Sequence, residues 1–378
     1  MNAAQLVARF RTVRKRLDKG IPQIVQEVID RLFQNSPTLL QRPLEARERD
    51  YSELCSDCQM ARTPDSTPTE RAERWLRGLG MELVQVVPLV GDVSARRYFR
   101  VHLEGSVCAI LAVYPRDLRP LCRRFCETTR LLEERGIRVP AIRAHDCSSG
   151  LMLVEDLGST TLYDKRTRPW SELEQYLRIA RQMIDEIQKL PADEVASLNP
   201  PLDADLLWRE LRQTWTAFLL PHKIGGEGAD RLEEALHLLC QRLGEPDPVP
   251  AHRDFMARNL VPVGTYPALA VIDHQDLRLG PPAYDVASLC NDSLYPPAAL
   301  AEELLQGLDP EAYHRCAAQR TLKAVGTFVT FAKRGSRRHL ELVPKSLRSF
   351  VEHFAKLPEG EALAAGVERR CRSVLRAF

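Results

Sequence analysis

One constellation in this chain has the makings of catalysis: Asp254, Asn259 five residues on, and Asp273 fourteen residues beyond that. They stand in Ala251-His-Arg-Asp-Phe-Met-Ala-Arg-Asn-Leu260 and Leu269-Ala-Val-Ile-Asp-His-Gln-Asp276. The first stretch reads as a loop, the second as a short apolar strand ending on an acid, with a hairpin between. Phosphoryl transfer uses such a set. One carboxylate orients an attacking hydroxyl and takes its proton. An amide oxygen and a second carboxylate hold magnesium, a hard cation that takes oxygen ligands and bridges nucleotide phosphates. Asp and Asn also recur in turns for backbone reasons alone. What goes beyond turn composition is His-Arg-Asp-x-x-x-x-Asn followed by an apolar strand that ends in Ile272-Asp273.

The elements that must position these residues follow from pattern. Residues 1–60 read as a helical N-terminal extension, with Ile21, Ile24, Val25, Val28, Ile29 and Leu32 forming an amphipathic stripe. That stripe must bury itself on the main body or on a protein partner. Residues 61–69 are polar and proline-rich, a linker signature, and Thr67-Pro68-Thr69-Glu70 is a capping box with proline at the first helical position. The expected domains are therefore 1–66 as extension and linker, 67–157 as a small lobe and 158–378 as a large one. In the small lobe, 83–90, 95–103 and 107–114 read as strands, 117–135 as a helix ending at Gly136, and 151–155 as a further strand. Helix-period apolar residues then mark 171–190, 203–220, 229–243, 297–306, 310–333 and 346–377. The one non-helical island among them, 249–280, holds the catalytic constellation. The fold class is α+β: a small β-rich lobe and a larger helical one.

Composition sets the outer bounds. Of 378 residues 44% are hydrophobic and 28% charged, as in a globular protein with a sizeable core. A net charge of +2 announces no nucleic-acid-binding surface. No apolar run approaches the roughly 18 residues that span a bilayer. The first 19 residues lack the apolar core of a secretory signal; with Arg9, Arg11, Arg14, Lys15 and Arg16 they read as a basic amphipathic helix, a solvated face rather than a transit peptide. Ten cysteines without a secretory signal point to a reduced, cytoplasmic protein. Cys55 and Cys58 form a C-x-x-C, but no second such pair completes a zinc site.

On the His252–Asn259 motif and Asp273 the chain resembles the aminoglycoside phosphotransferase and choline kinase superfamily, whose fold is bilobal and protein-kinase-like, over about residues 70–356. The resemblance implies Asp254 as catalytic base, Asn259 and Asp273 as magnesium ligands, His252 as a structural residue packing the catalytic loop, and Asp285 as the helix-starting aspartate that braces that loop. Four further motifs narrow it: Gly91-Asp-Val-Ser-Ala-Arg-Arg-Tyr-Phe-Arg100, Leu153-Val-Glu-Asp-Leu-Gly158, Ile272-Asp-His-Gln-Asp276 followed by Gly280-Pro, and Gln319-Arg-Thr-Leu-Lys-Ala-Val-Gly326. Taken in chain order they resemble the bacterial kinases that phosphorylate N-acetylmuramate and N-acetylglucosamine at the anomeric hydroxyl during cell-wall recycling. ATP and Mg2+ are the implied cofactors and an amino sugar the implied small-molecule partner. The hinge between lobes would be 155–157, with Glu155 and Leu157 meeting adenine through their main chains.

Two departures stand out. The third strand, Cys108-Ala-Ile-Leu-Ala-Val-Tyr114, lacks the lysine that holds the α- and β-phosphates in protein kinases. Another cation must face that charge, and since a strand alternates faces only one of Arg96 and Arg97 can do so; Arg97 is the choice. Met256 stands where the nearest relatives are expected to carry histidine. Glu127 on the small-lobe helix reads as solvated rather than as an arginine partner. Two rival readings stay open. An aminoglycoside acceptor would need carboxylates, which Asp203, Asp205, Glu210, Glu227, Asp230, Glu233 and Glu234 could supply. A pseudokinase scaffold would suit the missing lysine but not the intact Asp254, Asn259 and Asp273.

Overall fold

A computed structural model of the chain describes residues 68–89, 95–265 and 267–375, all within one unit, Pro68–Phe378. The basic 1–19 segment, the Ile21–Leu32 stripe, Cys55 and Cys58, the linker with Thr67, and Gly91 to Ser94 of the arginine motif lie outside the described residues.

The first helix, α1 (Pro68–Gly78), opens on proline, whose missing N–H would have had no helical acceptor in any case. Its Ala72 and Leu76 are buried. The small lobe is then an antiparallel sheet of β1 (Leu83–Leu89), β2 (Arg97–Leu103), β3 (Val107–Val113), β4 (Ile142–Asp146) and β5 (Leu151–Glu155), in the order β1-β2-β3-β5-β4. Between β3 and β4 runs helix α2 (Arg119–Glu134), ended by Gly136 at φ 69°, the left-handed turn that only glycine adopts without cost. Period-two alternation loads both faces of the sheet. Val101, Leu103, Leu111, Val113, Leu151 and Leu153 pack with Ala72 and Leu76 of α1. Ala112, Tyr114, Met152 and Val154 pack with Cys122 and Phe125 of α2. Each such aliphatic burial contributes about 1.5–3 kcal/mol, so this lobe is held as a three-layer sandwich. Strand β4 has no clear apolar pattern, because Arg143 and His145 face solvent.

The large lobe carries α3 (Trp170–Ile187), α4 (Ala192–Leu198), α5 (Ala204–Thr214) and α6 (Ala229–Leu243), then two small antiparallel pairs. These pairs are β6 (Val249–Ala251) with β9 (Arg278–Gly280), and β7 (Leu260–Pro262) with β8 (Leu269–Val271). Helices α7 (Tyr284–Asn291), α8 (Ala298–Leu304), α9 (Pro310–Lys333), α10 (Val343–Phe354) and α11 (Glu361–Leu375) complete it. Helix α9 runs through the core, with Cys316, Ala317, Leu322 and Val325 fully buried. Two expected helices differ. The 203–220 helix leaves α geometry after Thr214 and continues as a wider π turn, Trp215–Leu219. The 346–377 helix is two helices, broken where Pro358 offers no N–H and where a side chain on Gly360 would lie 2.0 Å from the Phe354 carbonyl. No helix of the described residues is long and apolar enough to cross a membrane.

Candidate active site

The catalytic segment is a loop between β6 and β7, and its backbone is forced. Arg253 sits at φ 75° and Asp273 at φ 63°, left-handed values that a residue with a Cβ rarely adopts. Asp285, buried at the start of α7, holds the first of these. Its Oδ2 accepts the His252 N–H at 2.6 Å and its Oδ1 the Arg253 N–H at 2.8 Å. Burial pushes its pKa up, against the opposing pull of His252 and those two N–H groups. His252 is fully buried, with Nε2 3.1 Å from the Ile272 carbonyl, so it ties the loop to the strand that leads into Asp273. Both residues therefore shape the loop and neither opens into a cavity.

Two cavities flank this loop. One, of about 570 Å3, is lined by Asp254, Glu210, Arg253, Met256, Arg258, Asp292, Arg320 and Lys323 among others. The other, of 520 Å3, lies between the lobes and is lined by Arg96, Tyr98, Arg100, Ile110, Glu155, Leu157, Asn259 and Asp273. Phe331 of α9 lines both. Asp254 and Asn259 are joined across the boundary by the Asn259 amide, which donates to the Asp254 carbonyl at 2.9 Å. The structure thus brings Asn259 and Asp273 into one cleft and sets Asp254 at the mouth of the adjoining one.

The charge on Asp254 is secured by its neighbours. Burial alone would raise its pKa, but Lys323, Arg320, Arg253 and His252 together hold it well below the usual carboxylate range. Arg320 Nη1 donates to Asp254 Oδ1 at 2.6 Å, and Lys323 Nζ lies 3.8 Å from the same oxygen. Burial pulls Lys323 down to about 8, partly offset by Glu210 and Asp254. Glu210, half-buried, lies against Lys323 at 3.3 Å and against Arg253, which also pairs with Asp276. Arg258 binds Asp292 at 2.9 Å, and the sulfur of Met256 receives Nη2 of both Arg258 and Arg320 at 3.4 and 3.6 Å.

In the interlobe cleft the structure corrects the choice between the paired arginines. Arg97 is exposed, and it is Arg96 that lines the cleft, with Nη2 3.3 Å from Asp273 Oδ1 and its guanidinium 5.7 Å from the Tyr98 ring centroid. Parity explains this: Phe99, Val101 and Leu103 face the α1 layer, so the odd positions of β2 point away from the cleft while Arg96, Tyr98 and Arg100 point into it. Arg100 forms a two-point clamp on Asp156, at 2.6 and 3.0 Å, just before Leu157. The Glu155 N–H donates to the Ala141 carbonyl at 2.8 Å, and its carboxylate is gripped by Arg138. That N–H is therefore no donor for a ligand. Leu157 lies in the cleft lining. Glu127 is exposed, and α2 instead meets the Asp273 turn through His274, which is hydrogen-bonded to Thr129 at 2.7 Å and packed on Phe125.

Several of these residues escape a motif reading. Arg320 and Lys323 fall within the quoted Gln319–Gly326 stretch, yet nothing in that helix flags them as active-site cations until α9 is seen beside Asp254. For Glu210 a signal exists: it lies on the apolar stripe of Leu207, Leu211 and Thr214, where a lone acid requires a buried cation.

The model of the phosphotransferase enzyme family matches residues 85–318. An N-acetylmuramate/N-acetylglucosamine kinase of Pseudomonas aeruginosa is 30% identical over 74% of this chain and 88% of its own length. Its counterpart from Pseudomonas putida is 30% identical over 72% and 86%. Among solved structures, the choline kinase LicA from Streptococcus pneumoniae matches with a TM-score of 0.56 at 14% identity, covering 76% of this chain and all of its own, which speaks for the fold. With its bilobal architecture and its matched catalytic segment, the chain belongs to the phosphotransferase enzyme family.

Proposed function

We propose that this protein transfers the γ-phosphoryl group of ATP to the anomeric hydroxyl of an amino sugar, N-acetylmuramate or N-acetylglucosamine. The observation that carries the reading is the pair of neighbouring cavities, Asp254 lining one and Asn259 and Asp273 the other. Asp254 accepts the proton of the attacking hydroxyl, and the Asp254–Arg320 contact fixes the direction of its carboxylate. Asn259 and Asp273 offer oxygen donors in one cleft, a chemistry that fits magnesium. When bound, the ion neutralises and orients the triphosphate. Arg96, 3.3 Å from Asp273 in the same cleft, would supply the cation that β3 lacks. The hinge at Asp156 and Leu157 walls the adenine end.

The acceptor cavity favours a neutral or anionic sugar over a polycation. Arg209, Arg253, Arg258, Arg320 and Lys323 line it against Glu210, Asp254 and Asp292. Of the described carboxylates between 203 and 234, only Glu210 lines it, and Glu210 is already paired. Asp203 caps α5, while Asp230, Glu233 and Glu234 line a separate depression with Trp208 and His237. The relatives named for N-acetylmuramate and N-acetylglucosamine support the same choice. A magnesium-dependent ATP-consumption assay against these two sugars, glucose and kanamycin tests it. Turnover confined to the amino sugars is expected; turnover with kanamycin alone, or with none of the four, contradicts the reading.

A further inference from the structure

The small lobe carries a side-chain cluster that phosphoryl transfer does not use. Helix α2 presents Cys122 and Cys126 four residues apart and so on one face, while β4 runs through His145 into the turn that holds Cys147. The ligating atoms of Cys126, His145 and Cys147 all lie within 4.8 Å of one another, and Cys147 Sγ is 3.8 Å from His145 Nδ1. Cys122, fully buried, belongs to the apolar cluster against which Cys126 and Cys147 pack. Cys122 is fully buried, Cys126 and Cys147 are half-buried, and His145 is exposed; all three cysteines are free thiols. The turn itself is braced. Asp146 Oδ1 accepts the N–H groups of Ser148 and Ser149, each at 3.1 Å, and Arg119 donates to the Ser148 carbonyl at 2.6 Å.

We propose that Cys122, Cys126, His145 and Cys147 form a binding site for a thiophilic divalent cation of the zinc class, fastening α2 to the β4–β5 turn. Three thiolates and an imidazole are a complete tetrahedral donor set for zinc. Bond lengths of about 2.3 Å to sulfur and 2.0–2.1 Å to nitrogen put such ligand atoms roughly 3.5–3.8 Å apart. Cys126, His145 and Cys147, bounded at 4.8 Å, therefore need only about an ångström of side-chain closure, with Cys122 as the fourth donor from the same helix face. Its donors do not suit magnesium or calcium, which take oxygen. The exposed imidazole gives the ion an entry path. A disulfide between Cys147 and either helix cysteine is the competing chemistry, but it leaves the other thiol and His145 without a role. The fastening reaches the catalytic cleft, because α2 also carries Phe125 and Thr129, which hold His274 next to Asp273.

The test uses the full chain with Cys55→Ser and Cys58→Ser, since that pair can bind metal by itself. After reduction and chelation the protein is titrated with Co2+ and then Zn2+. A tetrahedral cobalt–thiolate spectrum saturating at one equivalent per chain, displaced by Zn2+ and accompanied by a rise in Tm with Zn2+, is the expected result. Cys126→Ser with Cys147→Ser abolishes both signals, and His145→Ala alters the cobalt spectrum. A folded protein, judged by circular dichroism before any further substitution, that gives no such spectrum overturns the site. So does a spectrum that survives loss of Cys126 and Cys147, or a chain recovered with a Cys147 disulfide that takes up no metal once reduced.

Discussion

On the proposed mechanism Asp254 must stay ionised to take a proton, and its neighbours keep it so. Lys323, Arg320 and Arg253 outweigh burial and keep its pKa well below the usual range, so Asp254 is charged throughout the physiological range. Asp254→Asn removes the proton acceptor with little change of shape. It should cut kcat by about 10²-fold or more, on the usual general-base scale, while ATP binding measured by calorimetry is retained. Lys323 sets the other limit. Charged below its pKa of about 8 and neutral above it, it stops compensating Asp254 and Glu210 as pH rises through that value. The profile of kcat/KM should thus lack an Asp254 limb above pH ~5 and fall above pH ~8, and Lys323→Arg should carry the plateau to higher pH. An unchanged alkaline limb in that variant would assign it elsewhere. The arginine pair gives a cleaner contrast: Arg96→Met should raise the KM for ATP, and Arg97→Met, at an exposed position, should leave it alone. Type and spacing are enough to single out Asp254, Asn259 and Asp273 as candidates. Arg96 was missed because the parity of β2 was not read from Phe99, Val101 and Leu103.

Among the elements, the catalytic loop and helix α9 carry the tightest constraints. Asp285 offers two oxygens to two backbone N–H groups, one of them on the left-handed Arg253. Asn at this position has a single acceptor oxygen, so one buried N–H loses its partner at a cost of about 1–3 kcal/mol. Asp285→Asn should lower Tm by several degrees and lower kcat as well, because the loop that aims Asp254 relaxes. In α9, a Cβ on Gly326 would lie 2.1 Å from Thr214 Oγ1 and 2.7 Å from Thr214 Cα, where α5 passes close. Alanine gains about 1 kcal/mol over glycine in a helix, but overpacking against backbone costs roughly 1–3 kcal/mol and should win here. Gly326→Ala is expected to lower Tm in thermal unfolding; a rise would mean that the two helices separate freely. The helices at 229–243 and 310–333 and the strand at 151–155 were legible to the residue, since strong periodicity and turn chemistry bound them. Strand β4 and the break at Pro358–Gly360 were not, the first for want of an apolar face and the second because a continuing apolar period masked the stop.

At the scale of the molecule, the described fold begins at Pro68 and contains both cavities, the hinge and the catalytic loop. A chain starting at Asp65 should therefore keep ATP-dependent turnover, assayed alongside the full chain. A soluble, folded truncation that no longer binds ATP would show that the preceding segment belongs to the active fold. The proposed function makes one central claim, that the hydroxyl attacked is the anomeric one, and it rests on the resemblance to the amino-sugar kinases. The most direct measurement is product analysis by 31P NMR with N-acetylglucosamine and with its 1-deoxy analogue, which keeps the ring and the acetamido group. A sugar 1-phosphate from the parent and no phosphorylation of the analogue is the predicted result; a phosphorylated 1-deoxy sugar would contradict the account.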